Sequence, residues 1–124
     1  MSKSKSSQNG KVCYLEIPAV DIDTSATFYE AVFGWKIRRS EEGSIAFDDG
    51  AGQVSGMWVK NKRPMSEPGI IVSIMVDDAE ETEKRVPKSG GTIIASMKLD
   101  SGEVIVHFKD PAGNFMGMYQ DGGN

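Results

Sequence analysis

The chain describes one unit twice, and that repeat limits its fold more than any other feature. Residues 49–58 read Asp-Gly-Ala-Gly-Gln-Val-Ser-Gly-Met-Trp, and residues 110–119 read Asp-Pro-Ala-Gly-Asn-Phe-Met-Gly-Met-Tyr. Asp, Ala, Gly, Gly and Met recur in place, and the closing aromatic is Trp58 in the first copy and Tyr119 in the second. Earlier landmarks pair in the same order, Val20-Asp21 with Val76-Asp77 and Gly34 with Gly90. Ordered landmarks at a nearly constant offset indicate a duplicated half-domain. Two similar halves share an interface, and pockets form where substructures meet.

Each half reads as β-α-β-β-β. From Val12 to Pro18 the side chains alternate, with Cys13, Leu15 and Ile17 on one face and Tyr14, Glu16 and Pro18 on the other. Asp21 or Asp23 can cap the helix that follows, Phe28, Val32 and Phe33 form its apolar stripe, and Gly34 ends it. Short strands are expected around Trp35–Arg39, Ser44–Phe47 and Val54–Val59, divided by turn residues. The second half repeats this with a strand over Ile71–Val76 and a helix capped by Asp78 with Glu81 in a capping box. Glu80–Lys84 and Glu81–Arg85 stand at i,i+4, and the thin stripe Ala79, Thr82, Val86 with Pro87 predicts a short, superficial helix. Strands near Thr92–Met97, Val104–Lys109 and Asn114–Gln120 complete it, with a tight hairpin at Asp110-Pro111-Ala112-Gly113.

Composition sets the outer bounds. At 124 residues the chain is one domain able to bury roughly two thirds of its unfolded surface. Residues 1–10, rich in Ser and Lys, read as a disordered tail. The domain spans 11–124, with a module over 11–60, a linker over 61–69 and a module over 70–120. A net charge of −4 argues against a nucleic-acid partner. No apolar run is long enough to span a bilayer, so no membrane partner is expected. The single Cys13 cannot form an internal disulfide, which fits the cytoplasm and suggests a small buried hydrophobe.

Val20-Asp21-Ile22 leading into Phe28-Tyr29-Glu30-Ala31-Val32-Phe33-Gly34-Trp35, followed later by Phe108-Lys109-Asp110-Pro111-Ala112-Gly113-Asn114, resembles the vicinal oxygen chelate superfamily. That group holds glyoxalase I, the bleomycin-resistance protein and the extradiol dioxygenases. The resemblance covers roughly Val12 to Gln120 and implies an α+β fold. Two βαβββ modules would form a curved mixed sheet around a cup-shaped cavity, with the helices outside. It also implies a homodimer, since relatives pair subunits to complete their cups. In metal-using relatives four ligands face the cup, one from the first and last strand of each module. Those positions fall on Tyr14, Gly56 (or Met57, if the alignment slips by one), Ile71 and Gly117. This set supplies no ordinary metal donors, so neither metal nor another cofactor is expected.

If the ligand-bearing face points into the cup, alternation places Tyr14, Trp58, Ile71, Ser73, Met75, Phe115 and Tyr119 on a ligand-binding surface. Gly56 and Gly117 would enlarge its floor. Two groups there are candidate catalytic residues. Glu16 is a carboxylate suited to a general base if apolar surroundings raise its pKa, and His107 is the chain's single histidine. No catalytic triad, P-loop or dinucleotide fingerprint is present. The leading expectation is a metal-independent protein that binds a small organic molecule. A glyoxalase-like lyase or isomerase using Glu16 or His107, and an interaction module with a vestigial cup, stand as alternatives.

Overall fold

A computed structural model describes residues 9–122; residues 1–8, most of the expected tail, lie outside the described residues. Ten elements follow in order: β1 Tyr14–Pro18, α1 Ile22–Phe33, β2 Lys36–Arg39, β3 Ile45–Asp48, β4 Ser55–Val59, β5 Ser73–Met75, α2 Ala79–Lys88, β6 Thr92–Lys98, β7 Val104–Lys109 and β8 Phe115–Gln120. They make two βαβββ modules, so the class is α+β. Each module has its own mixed four-stranded sheet, ordered β1-β4-β3-β2 and β5-β8-β7-β6. In both, the first strand runs parallel to the last, and the remaining pairs are antiparallel. Among the described residues no helix is long and apolar enough to cross a membrane.

The helices form where their caps allow. The Asp21 side chain accepts from Thr24 Oγ1 and, at 3.0 Å, from Thr24 N, and these hydrogen bonds hold its carboxyl below the usual range. Gly34 closes α1 in the left-handed conformation, φ 71°, its N–H donating to Glu30 O. Asp78 caps α2 by accepting from Glu81 N at 3.1 Å. The expected i,i+4 pairs on α2 give way to an i,i+3 contact, Lys84 Nζ to Glu81 at 3.5 Å. Pro87 is tolerated because it sits in the last turn, and α2 buries only Ala79, Thr82 and Val86.

The core is an aromatic cluster centred on Tyr29. Its ring stacks on Trp35 (centroids 4.6 Å apart) and meets Phe28 edge-on at 5.1 Å. Trp35 stacks in turn on Phe47 at 4.5 Å, and Phe28 and Phe33 reach Phe108 on β7 of the other module. Ile17, Val86, Val106, Met116 and Met118 complete this single cluster. Cys13 is exposed rather than buried. It lies just before β1, and Leu15 and Ile17 alone carry that face into the core.

The Asp110–Asn114 motif does structural work. Asp110, 3% exposed, accepts from Tyr29 Oη at 2.8 Å, Ala112 N at 3.0 Å, Asn114 N at 2.9 Å and Asn114 Nδ2 at 3.0 Å. The same Nδ2 donates to Pro18 O at 2.7 Å, and Asn114 Oδ1 accepts from Met65 N at 2.8 Å. One turn thus ties α1, the end of β1 and the linker to the second module. Burial, and then the Asp110 charge, push the Tyr29 hydroxyl well above its ordinary value.

Candidate functional site

The two sheets each have one face packed into the core and one turned away from it. On the second sheet, Ser73 pairs with Gly117 and Met75 with Tyr119, while His107 and Ile105 oppose Gly117 and Tyr119. Partners in register share a face, so Ser73, Met75, Ile105, His107 and Tyr119 lie together. Phe115 joins them two residues before Gly117, with its ring 5.1 Å from that of His107. Ile71 belongs to the same side, since its Cγ2 lies 3.3 Å from where a Gly117 Cβ would stand. The opposite face, with Val106, Phe108, Met116 and Met118, is buried.

The first module departs from the expectation. Tyr14 pairs with Ser55 and Glu16 with Met57, and these four share the outward face. Trp58 pairs with Ile17 instead. It is 2% exposed, packed against Phe47 at 4.8 Å and Tyr29 at 5.9 Å, so it belongs to the core and not to the outward face. Its Nε1 has no hydrogen-bond partner among the described residues.

The cause is the length of one hairpin. In the second module Asp110 N donates to Asn114 O; in the first, Asp49 N donates to Val54 O, one residue further on. That extra residue shifts everything after it by one, and a one-residue shift moves every side chain to the other face. Met57 therefore occupies the place of Gly117, and Trp58 that of Met118. Gly56 does not enlarge a cup floor either: the Phe47 ring lies over it, with Cζ 2.5 Å from the position of an added Cβ. Met97, paired with Ile105, also lies on the outward face, and a bulge between Ile93 and Ala95 shifts the period in β6.

Within one chain the two candidate catalytic residues stand apart. Glu16 is exposed on the first sheet and His107 half-buried on the second, and among the described residues no hydrogen bond or ion pair joins them. The four positions that the resemblance marks for metal ligands become Tyr14, Met57, Ile71 and Gly117. No three His, Cys, Asp or Glu side chains converge elsewhere among the described residues. The donor set does not fit a catalytic divalent ion.

Tyr119 has a specific partner. Its hydroxyl donates to Glu103, which also accepts from Ser101 Oγ at 2.9 Å. The hydrogen bond to this carboxylate raises the Tyr119 pKa to about 12, and the same bond lowers that of Glu103. The pair therefore supports the fold between the ordinary carboxylate and phenol ranges. Its contribution fades as pH falls through the lowered Glu103 value or rises through that of Tyr119. Glu103→Gln is expected to bring Tyr119 ionisation back toward about 10. Tyrosinate absorbance, with Tyr119→Phe to assign the signal, measures this; an unmoved titration would show that Glu103 is not the cause.

Comparison with known proteins agrees with this architecture. A "Glyoxylase-like domain-containing protein" of Didymella fabae is 31% identical over 91 residues, covering 67% of this chain and 70% of that one. The fosfomycin resistance protein FosX of Listeria monocytogenes superposes with a TM-score of 0.75 at 8% identity, covering 92% of this chain and 93% of that one. Lactoylglutathione lyase of Agrobacterium tumefaciens gives 0.63 at 17% identity, covering 91% and 95%. Residues 11–117 match the family model described as Glyoxalase/Bleomycin resistance protein/Dioxygenase superfamily. With the repeat, the paired βαβββ modules and this match over most of its length, the chain belongs to the glyoxalase/bleomycin resistance protein/dioxygenase superfamily.

Proposed function

We propose that this protein binds a small organic molecule without a catalytic metal, on the sheet faces turned away from the core. Two copies of the chain would meet there to enclose it. The observation that carries the reading is apolar surface left uncovered on those faces. Tyr14 is 49% exposed, Ile71 41%, Met75 64% and Met97 40%. Aromatic and methionine side chains beside few polar groups suit an aromatic or amphipathic ligand. His107 and Phe115 offer ring surfaces, while Ser73 and the Tyr119–Glu103 pair offer polar anchors. The open edges of two four-stranded sheets favour pairing of copies. A single thiol, exposed at Cys13, fits a reducing cytoplasm.

A ligand screen by thermal shift, run with chelator and with added Zn, Ni or Mn, tests the reading beside light scattering on the eluting protein. The expected result is a dimer of the 13.5 kDa chain and hits whose stabilisation is the same with or without metal. Met75→Asp, at an exposed position, should remove both dimer and hits while leaving the fold intact. One equivalent of metal per chain, lost together with about 10 °C of melting temperature on chelation, would overturn it.

A further inference from the structure

A cavity lies in the seam between the modules, reached from the outward faces only by Glu16. It holds about 300 Å³ and is walled by Leu15 and Ile17 of β1, Val72, Met116 of β8 and Met65 of the linker. Leu15 and Ile17 alternate with Tyr14 and Glu16, so these walls come from the core side of the first sheet. Met116 likewise alternates with Phe115 and Gly117. The linker is held over the cavity, because Met65 N donates to Asn114 Oδ1 and Phe115 N donates to Met65 O at 2.7 Å.

Charge marks one side of it. Lys62 and Arg63 line the cavity and belong to the basic run Lys60-Asn61-Lys62-Arg63, in a chain whose net charge is −4. The ion pairs among the described residues use Arg38, Arg39 and Lys84, so both linker cations stand without a carboxylate partner there. Glu16 also lines the cavity, but it forms none of these pairs. Two cations against one carboxylate leave the site net positive.

We infer that this seam is a binding site for a small amphipathic carboxylate, its apolar tail between the modules and its anion at Lys62 and Arg63. The volume sits at the lower end for small-molecule sites, which suits an aryl or alkyl acid of modest length. Arg63 can take a carboxylate through two N–H groups at once, and Lys62 adds a point charge. The two sites meet only at Glu16, which stands on the outward face and also lines the cavity; the remaining walls and both linker cations belong to the seam alone.

Methionine methyl labelling in the full chain tests it, with phenylpropionate and octanoate as probes and phenylpropanol as the neutral control. Met65 and Met116 signals should shift saturably with the acids, at a Kd of about 1 mM or tighter, while Met75 and Met97 stay in place. Lys62→Gln with Arg63→Gln, both exposed linker positions, should weaken the acids by about tenfold and leave phenylpropanol unchanged. Added salt should weaken the acids alone. Shifts confined to Met75 and Met97 would move the ligand to the outward face and overturn the seam site. Absent saturation, or acid affinity indifferent to the two Gln substitutions, would also overturn it.

Discussion

Asp110→Ala is expected to destabilise the protein by about 4 kcal/mol and to lower its melting temperature by more than about 10 °C. The carboxylate is almost wholly buried and accepts four hydrogen bonds. Truncation strands the Tyr29 hydroxyl and one side-chain N–H of Asn114 inside the core. Each stranded buried donor costs about 1–3 kcal/mol, more than the bond it formed was worth net. Tyr29→Phe removes one donor together with its need for a partner, so it should cost only about 1 kcal/mol. Urea denaturation of both single variants and the double variant would give a coupling energy of about 1 kcal/mol or more. A loss below about 1 kcal/mol for Asp110→Ala would mean that the turn is not what fastens the modules.

Gly56→Ala and Gly117→Ala should differ sharply, although the repeat aligns the two glycines. At Gly56 a new Cβ meets the Leu15 carbonyl oxygen of the neighbouring strand and the Phe47 ring, whose Cζ lies 2.5 Å away. A backbone atom and a fully buried ring cannot step aside, so the cost is about 3 kcal/mol or more. At Gly117 the nearest atom is Ser73 Oγ at 2.6 Å, the end of an exposed side chain that can rotate. There the cost should be about 1 kcal/mol. Equal losses in urea denaturation would undo the register that separates Met57 from Trp58.

The fold was largely legible because its signals are local. Asp21, Gly34 and Asp78 mark helix ends by their own hydrogen bonding, and alternation in β7 and β8 puts Val106 and Met118 inward without reference to the rest of the chain. The β5 strand came out shorter than alternation implied, Ser73–Met75, although Val72 O and Val76 N on either side of it still bond to β8. The site was legible only on the second sheet. Identity between the repeats pointed Trp58 outward, since Asp49 and Asp110, like Gly56 and Gly117, coincide letter for letter. Hairpin closure decides the face, and a closure at Val54 rather than one residue earlier leaves no trace in those letters. Tyr29 was also passed over as the centre of the core. Its hydroxyl finds a partner 81 residues away in sequence, a pairing no local pattern announces.

The aromatic contact of α1 with both modules changes what the duplication means for the chain. Phe28 and Phe33 come from the first copy, yet they lie 6.0 and 5.6 Å from Phe108 of the second. A helix shared in this way leaves neither copy with a finished interior of its own. The ancestral halves have lost autonomy: cut apart, each would expose rings the other now covers. The chain is therefore expected to melt as one cooperative body. The two copies can drift apart in sequence only in step, except on the outward faces, where nothing from the other half constrains them.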